Sequence, residues 1–157
     1  MKIKLVILLC ASMIWAHSNA QKKTAPGEIP DTVMNSLKSK FPRIDDVKWE
    51  KRTDSNYCAK FKQQGIKHVA MFDTTGAWSR TEYEIKHSEL PKAVKNTIDG
   101  QFDGYKINEA WKFDDAKLGP GYIADVEKGK EVYRVQFSPD GRVISKENRI
   151  ESMKKKL

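Results

Sequence analysis

The stretch FDTTGAW at residues 72–78 returns as FSPDGRV at residues 137–143. Each copy has Phe, three polar or turn-forming residues, Gly, one further residue and then an apolar one. This recurrence constrains the fold more than any other feature, because a whole unit recurs around it. Aligning Pro30 with Pro91 brings Val33, Leu37 and Phe41 onto Val94, Ile98 and Phe102 at a constant offset of 61. Spacings of four and four put each trio on one face of a helix. Proline is accepted in a first helical turn, where its missing N–H costs no bond. Pro42 and Gly104 mark where the two helices stop. Trp49 is then matched with Trp111, Tyr57-Cys58-Ala59 with Tyr122-Ile123-Ala124, and Ile85 with Ile150. The offset grows to 65, so the second copy holds extra residues, placed in a loop at DDAKLGPG, 114–121. Residues 21–87 and 88–150 each read as one helix followed by four short strands. One unit alone buries a single thin layer, whereas two side by side share a sheet and a longer core.

Turn chemistry sets the expected register. In FSPDGRV, Pro139 suits the second position of a type I turn and Gly141 the left-handed bulge after it. This pairs Phe137 with Val143, Val135 with Ser145 and Tyr133 with Glu147, and in the first copy Phe72 with Trp78 and His68 with Glu82. A two-residue turn at Gln64-Gly65 pairs Phe61 with His68, Ala59 with Ala70 and Tyr57 with Phe72. A matching turn at Lys128-Gly129 pairs Ala124 with Tyr133 and Tyr122 with Val135. Cross-strand partners share a face. One face then carries Tyr57, Ala59, Phe61, Ala70, Phe72, Trp78, Tyr122, Ala124, Val126, Tyr133, Val135, Phe137 and Val143, and the helices cover it. The result is an α+β fold, a tandem helix-plus-four-strand duplication with helices on one face of a continuous curved antiparallel sheet. The uncovered face is mixed. Val69, Met71 and Tyr83 form an apolar cluster there, ringed by Lys60, Lys62 and Lys67, with Arg134 and Ile144 on the same face in the second half. Such a patch suits a partner site, and it is equally consistent with stray apolar residues on a sheet face.

The first twenty residues read as a secretory signal peptide. Lys2 and Lys4 form a basic start, an apolar run spans Leu5 to Ala16, and Ser18-Asn19-Ala20 supplies small residues for cleavage near Ala20. The run is too short to span a bilayer, which takes about 20 apolar residues. Removing Lys2 and Lys4 lowers the formal charge from +8 to +6. Basic residues are spread along the chain, with one cluster at Lys154-Lys155-Lys156 in a tail over 151–157. No dense basic stripe or known module points to nucleic acid. With Cys10 removed, Cys58 is alone, so no intrachain disulfide is expected in the mature chain.

His68 and His87 with one cysteine do not make a metal set. His68 opposite Phe61 and beside Glu82 reads as a histidine bonded to a carboxylate at the core edge, and catalysis would need a pocket and a second partner there. No serine sits in a nucleophile elbow, and GPG at 119–121 is a turn and not a phosphate cradle. Asp45-Asp46 and Asp114-Asp115 lack the alternating oxygen ligands of a calcium loop. The sequence therefore indicates no enzyme, metal or cofactor.

The leader, the paired Pro-started helices (Pro30; Leu90-Pro91), Trp49 and Trp111, Tyr57-Cys58-Ala59-Lys60-Phe61 and Tyr122-Ile123-Ala124-Asp125-Val126, with Phe72-Asp73-Thr74-Thr75-Gly76 and Phe137-Ser138-Pro139-Asp140-Gly141, resemble the PepSY-like proteins of Bacteroidetes. The resemblance covers nearly the whole mature chain. It implies a fold like that of the β-lactamase inhibitor protein and an exported location. It carries no catalytic residues, and a fold does not fix a function. The reading that follows is a periplasmic or secreted, non-enzymatic binding module. It grips an envelope or extracellular protein or peptide on the open sheet face through apolar anchors and a basic rim that favours an acidic partner, and fold analogy extends this to an inhibitor-like use. Homodimerisation through the same face would equally account for its apolar residues. The alternative is a small-ligand carrier or sensor with an enclosed apolar cavity near His68 and Glu82.

Overall fold

A computed structural model describes residues 28–53 and 56–150. The expected leader at 1–20 and the basic tail at 151–157 lie outside the described residues. The chain runs α1 (Asp31–Lys40), β1 (Asp45–Thr53), β2 (Asn56–Gln63), β3 (Ile66–Asp73), β4 (Trp78–Ile85), a single 3₁₀ turn (His87–Glu89), α2 (Lys92–Gln101), β5 (Lys106–Asp115), β6 (Gly119–Lys128), β7 (Glu131–Phe137) and β8 (Val143–Asn148). The strands form one eight-stranded antiparallel meander in sequence order.

Pro30 and Pro91 are the N-caps of α1 and α2. Each helix buries the face its spacing marks. Val33 and Leu37 pack on Tyr57, Ala59, Phe61, Ala70 and Phe72. Val94 and Ile98 pack on Ala110, Ala124, Val126, Val135 and Phe137. Cross-strand partners carry this face without interruption from β2 to β7, so both helices lie on the same side.

The repeated Phe-x-x-x-Gly turn is fixed by its contact with the helix. Gly141 N–H donates to the Ser138 carbonyl at 2.9 Å and Ser138 N–H to the Arg142 carbonyl at 2.9 Å. Gly76 to Asp73 and Asp73 to Ala77 repeat this at 3.1 and 3.0 Å. Both glycines have φ near +85°. A Cβ on Gly141 would lie 2.5 Å from the Ala93 carbonyl oxygen of α2, and one on Gly76 would lie 2.8 Å from the Thr32 carbonyl oxygen of α1. The Thr97 hydroxyl also donates to the Gly141 carbonyl oxygen at 2.7 Å. Each turn thus rests on its own helix backbone, and only glycine allows both the approach and the left-handed φ.

The structure departs from expectation in five places. The Gln64-Gly65 turn is as expected, with both φ values positive. The matching turn is Gly129-Lys130, one residue later than Lys128-Gly129, so Ala124 pairs with Val135 and Tyr122 with Phe137. After Phe72–Trp78 and Phe137–Val143, which pair as expected, one residue bulges out: Ser79 in β4 and Ile144 in β8. A one-residue bulge moves every later side chain to the opposite face. His68 therefore pairs with Tyr83 and not Glu82, Val135 with Lys146 and not Ser145, and Tyr133 with Asn148 and not Glu147. Trp49 pairs with Ala59 on the helix side, whereas Trp111 pairs with Ile123 on the other side, so the two tryptophans are not equivalent and Ala110 takes the place of Trp49. Finally, DDAKLGPG is mostly strand. Only residues 116–118 turn, and the extra residues lengthen β5 and β6.

Candidate functional site

Eight strands about 4.8 Å apart would set β1 and β8 about 34 Å apart in a flat sheet. Here Lys48 and Arg52 of β1 and Glu147 of β8 line the same hollow of about 1330 Å³, on the face away from the helices. The sheet is curved around this trough.

Its floor is built in two layers. Trp111, Phe113 and Ile123 form a small apolar cluster with Val69 against it. Gly121 stands opposite Phe113, and a Cβ there would strike the ring at 2.3 Å, so glycine is what lets the ring lie flat on the sheet. The Arg80 guanidinium covers that ring at 3.9 Å, and Arg134 lies 5.9 Å from the Trp111 ring. Above this runs an ion-pair chain across the β4–β5 junction. Arg80 meets Asp115 at 3.3 Å and Glu82 at 2.9 Å, and Arg134 meets Glu82 at 2.8 Å and Asp125 at 3.0 Å. Gln136 accepts from Arg80 at 3.1 Å. Arg80 Nε is close to Glu82 without hydrogen-bond alignment, so that pair is electrostatic in character. Burial works to raise Asp115, but N–H donation from Leu118 and Lys117, with Arg80, brings it below the ordinary aspartate range. Burial raises Asp125 despite Arg134. Cys58 lies in the same face, 1% exposed, and burial pushes its thiol up.

Of the residues expected on this face, Val69, Met71, Lys60, Lys62, Lys67 and Arg134 line the trough. Ile144 is the bulged residue of β8, 39% exposed and outside the trough lining. Tyr83 is on the helix side, stacked on His68 at 5.7 Å, with His68 stacked in turn on Phe61 at 5.4 Å. His68 Nδ1 lies 3.0 Å from the Ile66 carbonyl oxygen, and Glu82 is on the far face, so the expected His68–Glu82 pairing does not form. Near His68 the helix side holds an open hollow of about 330 Å³ at Lys40, Phe41, His68, Trp78, Thr81, Tyr83 and Asp114. Arg80, Glu82 and Trp111 were missed as trough residues. The signal was present in β4, where Thr81, Tyr83 and Ile85 alternate with Arg80, Glu82 and Glu84. Apolar residues facing the helices would have required the one-residue slip. Among the described residues no group of three or more His, Cys, Asp or Glu is arranged to hold a metal, and no helix is long and apolar enough to cross a membrane.

The chain matches the family model described as "Putative beta-lactamase-inhibitor-like, PepSY-like" over residues 11–71 and again over 55–145. Similar solved structures include a protein of Bacteroides eggerthii described as "putative periplasmic" (23% identity, TM-score 0.69, covering 76% of this chain and 88% of that one). A DUF2874 family protein of Bacteroides uniformis follows at 24% identity and TM-score 0.68, with 76% and 88% covered. A BLIP-like protein of Bacteroides fragilis has 20% identity and TM-score 0.64, with 76% and 86% covered. At these identities the likeness carries the fold. No curated protein matches the chain.

Proposed function

The chain belongs to the PepSY-like, beta-lactamase-inhibitor-like family, and from that premise we propose that it is an exported, non-enzymatic binding module that seats a protein or peptide in the trough of its sheet. The observation that carries this reading is the trough itself. Its volume of about 1330 Å³ exceeds the roughly 300–1,000 Å³ of pockets for drug-sized ligands. Val69 and Met71 stand half-buried among charged side chains, the apolar-centre, polar-rim pattern of protein interfaces. The rigid ion-pair floor keeps that surface in shape without a partner, which reduces the ordering cost of association. The description of the Bacteroides eggerthii structure supports a periplasmic setting, in line with the leader read from residues 1–20. The family description and the BLIP-like neighbour support an inhibitor-like use of the fold.

The test is capture from an envelope extract on the immobilised mature chain. Val69→Asp with Met71→Asp alters the trough, and Tyr83→Ala alters the opposite face as a control. A partner held by the wild type and by Tyr83→Ala, and lost by the natively folded trough variant, is the expected result. Retention of the same partner by the trough variant refutes the reading. Sedimentation of the same proteins shows whether the occupant is a second copy.

A further inference from the structure

The strand register places two lysine pairs directly opposite each other. Lys48 faces Lys60 across β1 and β2, and Lys62 faces Lys67 across β2 and β3. All four line the trough. Like charges set opposite on one sheet face are destabilising. Lys60 is answered by Glu50 at 2.6 Å and Lys67 by Glu84 at 2.9 Å. Lys48 and Lys62 form no ion pair with any described residue, although Asp45 stands opposite Lys62 in the register and Asp46 follows it. On the trough floor, by contrast, Arg80 and Arg134 are matched by Glu82, Asp115 and Asp125. Across the whole lining, nine basic residues meet five acidic ones. The positive surplus therefore sits on the β1–β3 bank.

We infer that this bank docks an acidic polypeptide segment, its carboxylates between Lys48, Lys60, Lys62 and Lys67 and its apolar side chains on Val69 and Met71. The inference rests on the trough being the binding face and names the chemistry of its occupant. A planar lipid surface cannot follow a concave wall. A sugar chain stacks on bare ring faces, and here Phe113 lies fully buried under Arg80 while Trp111 is 7% exposed. Val69 stands directly opposite Lys60, so charge and apolar contact alternate across neighbouring strands, as they do along an acidic and apolar peptide.

The experiment is fluorescence anisotropy with the mature protein and a labelled peptide alternating glutamate and leucine, set beside its glutamine counterpart. At low salt the glutamate peptide binds about tenfold tighter, and the advantage shrinks as salt is added. Lys48→Gln with Lys62→Gln weakens the glutamate peptide about fivefold or more. It also raises the Tm of the free protein by about 1–4 °C, because repulsion is removed; lysines with a merely structural role would lower the Tm. Equal binding of the two peptides, or of wild type and the lysine variant, overturns the inference. Tighter binding of heparin or of phosphatidylglycerol vesicles than of the glutamate peptide overturns the choice of a polypeptide. Loss of both peptides with Met71→Asp, without effect of the lysine substitutions, leaves the trough reading standing and removes the acidic one. Binding of both peptides unchanged by Met71→Asp and by the lysine substitutions removes the trough reading itself.

Discussion

Replacing Gly141 with alanine tests the role of the duplicated turn, and Gly65 provides its control. Both glycines have left-handed φ, +86° and +81°. An L-residue there costs about 1–2 kcal/mol at either site. At Gly65 a Cβ meets nothing within 4 Å, so the cost ends there. At Gly141 the new Cβ would lie 2.5 Å from the Ala93 carbonyl oxygen and 2.6 Å from its carbonyl carbon. Backbone atoms inside α2 cannot rotate away, so the turn must lift off the helix. Lifting breaks the 2.7 Å bond from Thr97 to the Gly141 carbonyl, about 1 kcal/mol, and displaces packed neighbours, about 1–3 kcal/mol more. Gly141→Ala should therefore cost about 2–4 kcal/mol more than Gly65→Ala. Urea unfolding measures this as a lower midpoint at unchanged slope, and hydrogen exchange should show the added opening in α2. If the two variants lose the same stability, the docking account of the repeated glycine is wrong.

Three further outcomes follow from the trough and the turns. Glu82→Gln leaves Arg80 and Arg134 short of a shared counter-charge at a site 7% exposed, and should cost about 3 kcal/mol in urea unfolding; an unchanged midpoint removes the ion-pair chain as a structural element. Cys58 should react with a thiol reagent only as the protein opens, far more slowly than a free thiol and faster as urea is added, because it is 1% exposed and burial raises its pKa; reaction at the free-thiol rate in the native protein would show that the site is open. Asp73 is held below the ordinary aspartate value first by the Thr75 hydroxyl and then by the Ala77 N–H. Its contribution is intact above the unfolded value of about 3.9 and lost as pH falls through the folded value. Stability of Asp73→Asn, followed by urea unfolding across acid pH, should fall less steeply than that of the wild type.

The architecture was readable because it was written twice. Pro30 and Pro91, the i, i+4 trios and the Gly76 and Gly141 turns each gave an independent copy against which the other could be checked. The faces of β4 and β8 were not readable from the turns alone. Ser79 and Ile144 bulge without any compositional mark, since neither glycine nor proline stands at either position. That single residue moved Tyr83 to the helix side and brought Glu82 into the trough. Trp111 was misplaced for a related reason: an aromatic matched to Trp49 by type lies one position away from its structural counterpart, Ala110. Sequence likeness between copies orders the elements, but cross-strand pairing decides which face a side chain joins. The Lys62–Lys67 pair already follows from the Gln64-Gly65 turn, whereas the Lys48–Lys60 pair became visible only once the register of β1 on β2 was known.

The unbroken meander also bears on how the chain reaches this state. Every strand pairs with its sequence neighbour, so contact order is low for a β-rich protein, and each half can zip up from its own tight turns. The exception is the β4–β5 seam, where partners such as Arg80 and Asp115 are 35 residues apart and α2 intervenes. Closing that loop is the most entropically demanding step in the sheet. The ion-pair chain from Arg80 through Glu82 to Arg134 crosses the same seam. It forms only after the slow closure, so its substitutions should speed unfolding and leave the folding rate nearly unchanged.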